Sequence, residues 1–427
     1  MRVAELSGAI GETVEIRGWV TSLRKSGKIR FLALRDGSGR VQAVVRETEV
    51  DPATWEGTAR LSQETSVIVH GLCRADERAP GGVELDLTEV QIVGESEDYP
   101  IQPKEHGVDF LLDLRHLWLR SGRQAAIMRV RHTFEHGIRE FLDREGFIGA
   151  DTPILTPSAC EGTTTLFETT YFDQKAYLSQ SGQLYNEALA MALGKVYCFG
   201  PAFRAERSKT RRHLIEFWMV EPEMAFCDLD GCMEVEERML SFVLERVAKR
   251  CPEELRLLGR DPEELRQVRP PFPRISYDEA IELLRQDGID LPWGEDFGAP
   301  HEAAISSHFN LPVFVHRYPA VAKAFYMQPD PERPEVVLGA DLLAPEGYGE
   351  IVGGGQRIDD YQLLLRRLQE QNLPVADYEW YLDLRRYGSV PHSGFGLGIE
   401  RTLAWILRLE HVREAIPFPR MLYRLRP

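Results

Sequence analysis

Cysteine is scarce here, six in 427 residues, and no paired C-x-x-C is among them. That excludes a disulfide framework and argues against a metal site at Cys227, Cys232 and Cys251. No run approaches the ~18 apolar residues that a membrane span needs. The opening Met1-Arg2-Val3-Ala4-Glu5-Leu6 lacks the charged-then-apolar pattern of an export signal. Reduced thiols and a cytoplasmic location are the expectation. Positive charge is short as well: 51 Lys and Arg stand against 67 Asp and Glu, a net charge of −16. This excludes binding nucleic acid by bulk charge but not through local patches, because a contact feels the charges nearest to it. There is no Gly-Lys-Ser/Thr phosphate loop and no dinucleotide fingerprint. No Ser-His-Asp or Cys-His arrangement, internal repeat or low-complexity segment is found either.

What is present suits a folded chain of two or three domains, with 43% hydrophobic and 28% charged residues. Two basic patches interrupt the acidic background. Arg17, Arg24, Lys25, Lys28, Arg30, Arg35 and Arg40 share their stretch with the single acid Asp36. Lys195, Arg204, Arg207, Lys209, Arg211 and Arg212 share theirs with Glu206. Residues 1–95 alternate as short strands at Val14–Val20, Arg30–Arg35, Val41–Val45, Ser66–Leu72 and Val83–Val93, with turns at Asp36-Gly37-Ser38-Gly39 and Ala79-Pro80-Gly81-Gly82. Five such strands predict a small oligonucleotide-binding (OB) β-barrel.

A polar, proline-marked hinge is expected over 96–118, and beyond it, over 119–427, the apolar period lengthens. Ile127, Val130, Phe134, Ile138, Phe141 and Leu142 share a helical face that Gly146 should stop. Strand-like stretches at 196–199, 214–226, 313–315, 349–353 and 390–398 lack a βαβ rhythm. The fold class is therefore α+β: an antiparallel sheet flanked by helices, behind an N-terminal barrel.

Three segments carry chemistry. In Phe203-Arg204-Ala205-Glu206, period two predicts Arg204 and Glu206 on one strand face, and Phe217, Met219, Glu221 and Glu223 on one face of the partner. A guanidinium, carboxylates and an aromatic ring together make a poor hydrophobic core. Gly394, Gly396 and Gly398 strip one strand face so that a flat or charged ligand can lie against the backbone, and Arg401 follows at a helix start. In the glycine-rich stretch 341–357, Asp341 and Glu350 suit Mg²⁺, and Arg357 is expected to open a helix.

In order, these segments resemble motifs 2 and 3 of the class II aminoacyl-tRNA synthetases. Gly146-Phe147-Ile148-Gly149-Ala150-Asp151-Thr152-Pro153-Ile154-Leu155 resembles their motif 1, through which these enzymes form homodimers. With the barrel, the chain is similar to the aspartyl/asparaginyl/lysyl subgroup over nearly its whole length. The resemblance implies a catalytic domain over 119–427 that holds an insertion at about 228–320. It implies ATP bound by Arg204, Glu206, Arg212, His213, Leu214, Phe217, Glu350, Gly398 and Arg401. In that family Arg204 would meet the α-phosphate and Arg401 the γ-phosphate, Phe217 would stack on adenine, and Asp341 and Glu350 would carry Mg²⁺.

For the amino acid, the resemblance implies Glu161, Ser181, Gln183, Asn186, Glu221 and Arg357. Aspartyl enzymes generally have lysine where this chain has Asn186, and Glu221 would sit beside any bound carboxylate. A buried, poorly paired carboxylate costs several kcal/mol (roughly). L-Asparagine is therefore the expected substrate and tRNA(Asn) the expected partner. A non-discriminating aspartyl enzyme of the compact archaeal type is the alternative. On the barrel, Arg24, Phe31 and Gln42 would meet the anticodon, through backbone contact, stacking and a base edge respectively.

Overall fold

The computed structural model describes residues 1–160 and 166–427; Glu161, expected at the amino-acid site, lies outside the described residues. The chain forms two compact units, Met1–Gly107 and Val108–Pro427. In the first, β1 (Thr13–Ser26), β2 (Ile29–Arg35), β3 (Arg40–Arg46), β4 (Ser66–Ala75) and β5 (Val83–Gly94) close a barrel in the order β1-β2-β3-β5-β4. Alternation decides its inside: Ile16, Val20, Leu32, Leu34, Val41, Val69 and Leu85 fill the core. The β2–β3 turn is fixed by Asp36, whose carboxylate accepts from the backbone N–H of Ser38 and Gly39 at 2.7 and 2.8 Å.

The second unit adds β6 (Ile148–Gly149), β7 (Leu155–Thr156), β8 (Glu168–Tyr171), β9 (Gln174–Leu178), β10 (Lys195–Phe203), β11 (Glu216–Ala225), β12 (Arg274–Ser276), β13 (Val313–His316), β14 (Gly339–Ala344), β15 (Gly349–Gln356) and β16 (His392–Gly398). Strands β7, β9 and β8 form a small sheet, and the rest form one sheet of eight in the order β12-β13-β14-β15-β16-β11-β10-β6. The neighbours within it are antiparallel except at the two edges, where β12–β13 and β10–β6 are parallel.

One face of this sheet is covered by the helix Gly122–Arg144. Ser121 caps its first turn by accepting from Gln124 N, and Gly146, at φ +81°, takes the chain out of it. Its stripe Ile127, Val130, Phe134, Ile138 and Phe141 packs with Leu240, Val243 and Val247 of the helix Leu229–Arg250 and with Val220, Val352 and Leu397 of the sheet. Each such side chain contributes about 1.5–3 kcal/mol by leaving water. Because Val220 and Met224 point into this core, Met219, Glu221 and Glu223 point to the other face.

Four expectations are revised here. Residues 108–118, expected as hinge, form the helices Val108–Asp113 and Arg115–Trp118, and buried Arg115 ties them into the second unit through the carbonyls of Ile416 and Pro417, both at 2.8 Å. Arg357 does not open a helix. Its glycines extend β15 instead, because Gly354 lies so close to β16 that a Cβ there would stand 2.6 Å from that of Phe395. The next helix begins at Tyr361, capped by Asp360, which accepts from Leu363 N at 2.7 Å. Strand β10 ends at Phe203, before Arg204 and Glu206, and its ladder continues by one bond from Arg204 N to Ile215 O at 3.0 Å. The segment 228–320 is not set apart from the sheet: β12 and β13 both lie within it, pair with each other, and join the rest of the sheet through β14.

Candidate active site

The open face of the eight-stranded sheet carries a cavity of about 710 Å³ lined by Ser181, Gln183, Arg204, Glu221, Glu223, Lys323, Asp341, Glu350 and Arg357, among others. A second, smaller cavity shares Arg204, Met219, Glu350 and Gly396 with it. All nine residues expected at ATP line this second cavity: Arg204, Glu206, Arg212, His213, Leu214, Phe217, Glu350, Gly398 and Arg401. Glycine makes the floor possible, since a Cβ on Gly396 would stand 2.5 Å from Met219 Cε. The Arg204 guanidinium lies 5.4 Å from the centre of the Phe217 ring, a cation–π contact that sets the two side by side.

Charge in the cavities is arranged in pairs. Glu350 accepts from Arg401 at 2.8 Å, and Lys323 donates to Asp341 at 2.6 Å. Burial alone would raise the Glu350 carboxyl, but Arg401, Lys323, Arg212 and Arg204 bring it down to about 2. Burial pushes the Asp341 carboxyl up, against the pull of Lys323. Burial and the guanidiniums of Arg401, Arg212 and Arg204 lower the His213 imidazole, which favours its neutral form. Glu302, from the helix Ala299–Ser307, accepts from Arg212 at 2.6 Å and from Glu350 N at 2.7 Å, so the segment 228–320 supplies part of the wall.

The other end of the larger cavity is built on a buried bidentate pair. Arg357 donates from Nε and a terminal nitrogen to the two oxygens of Glu223 at 2.9 and 3.1 Å. Any side chain on Gly394 would collide with that carboxylate. Glu221 accepts from the Ser181 hydroxyl and, at 3.0 Å, from Gly182 N. It also accepts from Cys198 Sγ at 3.4 Å, and it lines the cavity.

Asn186 departs from its expected place. It does not line the cavity: it is fully buried in the helix Gln183–Leu193 and donates to Glu221 O at 2.8 Å, so it holds β11 rather than facing a ligand. Its neighbour one helical turn from Gln183 is Glu187, which accepts from Gln183 Nε2 at 3.1 Å.

On the barrel, Arg24 and Phe31 are cross-strand partners, with the guanidinium 4.6 Å from the ring centre. Gln42 pairs with Ala33 in register, two residues from Phe31, so all three side chains share the outer face. Phe31 is therefore not barrel core. Gln42 donates to Glu84 at 2.5 Å.

Sequence reasoning did not assign Glu223, Lys323 or Glu302. Alternation along β11 already placed Glu223 on the site face, but nothing local marks Glu302 as a partner of Arg212, 90 residues away.

The chain is similar to known proteins over its whole length. Residues 107–422 match the family described as tRNA synthetases class II (D, K and N), and residues 14–93 match the OB-fold nucleic acid binding domain. The chain is 58% identical to the asparagine–tRNA ligase of Pelotomaculum thermopropionicum over 425 residues, 100% of this chain and 99% of that one. It is 58% identical to that of Thermus thermophilus over 434 residues, again 100% and 99%. Its fold matches asparaginyl-tRNA synthetase from Pyrococcus horikoshii complexed with asparaginyl-adenylate at a TM-score of 0.97, with 47% identity, covering 100% and 99% of the two chains. The Entamoeba histolytica asparaginyl-tRNA synthetase with asparaginyl-adenylate follows at 0.92, with 32% identity and the same coverage. Motif order, cavity chemistry and full-length similarity lead to one conclusion: the chain belongs to the class II tRNA synthetases of the D, K and N group.

Proposed function

We propose that this chain is an asparagine–tRNA ligase, activating L-asparagine with ATP and transferring it to the 3′ end of tRNA(Asn). The observation that carries this is a sheet face whose two cavities meet at Arg204, one lined by the expected ATP residues and the other by Arg357 and Glu221. Asparagine's side-chain oxygen would accept from Arg357, and its NH₂ would donate to Glu221. Aspartate offers no N–H to Glu221, and its charge would lie among Glu221 and Glu223 with Arg357 already paired. The non-discriminating aspartyl alternative is not favoured.

The asparagine carboxylate would attack the α-phosphate beside Arg204, which stabilises the charge that develops there, and pyrophosphate would leave toward Arg401. Fixed charge aimed at such a transition state is a leading source of rate. Phe217 would stack on adenine, with Glu206, His213 and Leu214 at its border. The donor set also suits Mg²⁺: a Cβ on Gly353 would stand 3.0 Å from Glu350 Oε1 and 3.3 Å from Asp341 Oδ1, so both carboxylates face one point. Bound there, Mg²⁺ would neutralise charge on the leaving phosphates.

Pyrophosphate exchange with ATP, run with asparagine and with aspartate at matched concentrations, tests this. Exchange should favour asparagine by about 10⁴, the discrimination reached by a site built to hydrogen-bond its substrate. Exchange favouring aspartate would keep the fold and sink the substrate.

On the barrel, Phe31 would stack on an unpaired anticodon base, with Gln42 at a base edge and Arg24 on the backbone. Phe31→Ala should raise the Kd for tRNA(Asn) by about tenfold to a hundredfold, as loss of one stacked base does, and leave pyrophosphate exchange unchanged. Loss of exchange as well would mean that the variant harms folding. A homodimer through motif 1 is supported by its exposed apolar residues: Ile148 on the edge strand β6, Ile154 and Leu155. No described helix is long and apolar enough to cross a membrane. A cytoplasmic location fits the work proposed.

A further inference from the structure

Gln183 lines the larger cavity, and its amide has two unlike ends, a donating NH₂ and an accepting carbonyl. Which end meets a ligand depends on what holds the other. Here Nε2 donates to Glu187 at 3.1 Å. Glu187 is fully buried, with Tyr381 OH at 2.7 Å from both oxygens and an Arg385 nitrogen donating at 2.5 Å, while His392 Nε2 lies 3.0 Å away. Burial would raise this carboxyl, but Arg385 and His392 hold it well below the usual range, so it is ionised and can only accept. Arg385 is anchored in turn, donating from Nε to Ile358 O at 2.7 Å. The network leaves the Gln183 amide one orientation that suits it, with the NH₂ inward and Oε1 toward the cavity.

We propose that Glu187 is a positioning residue that fixes the Gln183 amide with its oxygen facing the substrate, so that the pocket recognises the α-ammonium group of asparagine. The proposal rests on the reading of the cavity as an asparagine site. It gives the carboxylate one helical turn beyond Gln183 a task beyond packing: it converts a neutral, two-faced amide into an acceptor for a cation. A buried carboxylate ringed by an arginine, a histidine and a tyrosine also has little freedom to move, so the amide it holds is set before the ligand arrives.

The test compares two ligands on the full-length protein by calorimetry. One is the sulfamoyl-adenosine analogue of asparaginyl-adenylate. The other is its des-amino counterpart, built on succinamic acid. In Glu187→Gln the new amide can donate to Gln183 Oε1 and turn it away from the cavity. Affinity for the amino-bearing analogue should fall about tenfold or more, the worth of a hydrogen bond to a charged group. Affinity for the des-amino analogue should stay within about twofold, where no such bond exists to lose. KM for asparagine should rise with KM for ATP unchanged. Equal loss on both ligands, or loss on neither, overturns the proposal, because a merely structural role would weaken both alike. If Glu187→Gln does not fold, Gln183→Met in the intact network is measured with the same pair. The same selective loss is expected, and equal loss overturns the assignment of Oε1 to the ammonium. Failure of the asparagine reading would show differently, as an unaltered protein that exchanges pyrophosphate without asparagine dependence.

Discussion

Replacing Arg204 by alanine should slow adenylate formation by about a hundredfold to a thousandfold, the usual loss when a fixed group aimed at a developing oxyanion is removed. Arg204 lines both cavities, where the two substrates would meet on the function proposed. Binding of ATP should weaken less than turnover, because the charge that Arg204 answers is greatest in the transition state. Arg204→Lys should recover only part of the rate, since an ammonium lacks the planar fork that engages two phosphate oxygens at once. Single-turnover pyrophosphate release measures the chemical step directly. A loss confined to KM would move Arg204 from the reaction centre to simple ATP binding.

Arg357→Leu should do two separable things. It leaves Glu223 buried without its partner, and breaking such a pair costs about 3–5 kcal/mol, read as a lowered denaturation midpoint. It also removes the proposed donor to asparagine's side-chain oxygen, and exchange should fall by about tenfold to a hundredfold from the lost charged hydrogen bond alone. The double variant Arg357→Leu/Glu223→Leu separates the effects. Two apolar side chains of similar volume should restore much of the stability, while asparagine activation stays lost. Activity regained along with stability would show that Arg357 acts through the fold and never touches the substrate. An unchanged midpoint in the single variant would show that the pair does not stabilise the unit.

The legible parts of this molecule are those governed by local rules. Alternation along the barrel strands and along β11 comes from backbone geometry, so Leu32 and Leu34 inside, Phe31 outside, and Glu221 and Glu223 on the site face all follow from sequence. The helix Gly122–Arg144 is marked by its stripe and by Gly146. The local signal fails where a distant element overrides it. Gly353-Gly354-Gly355 reads locally as a connector, and only the close approach of β16 makes it strand; Asp360 was the better sign of the next helix. Asn186 reads from sequence as a ligand contact because spacing does not say which side of a helix meets the cavity. One turn of the helix puts Gln183 at the wall and Asn186 beneath it. The partnerships of Glu302 with Arg212 and of Lys323 with Asp341 join chain segments that nothing local relates.

The ion pairs that close the site on itself have a consequence for how it fills. Arg401 is held by Glu350, Lys323 by Asp341 and Arg212 by Glu302. A polyphosphate arriving here meets cations that already have counter-ions, and binds by exchanging places with them. Each guanidinium or ammonium drawn to phosphate would release a carboxylate, and two of these, Glu350 and Asp341, would then be open to the divalent cation proposed above. Polyanion and cation thus assist each other, and linkage requires the assistance to be the same in both directions. On the function proposed, the site would act as a mixed-bed ion exchanger, holding either ion alone less well than the two together.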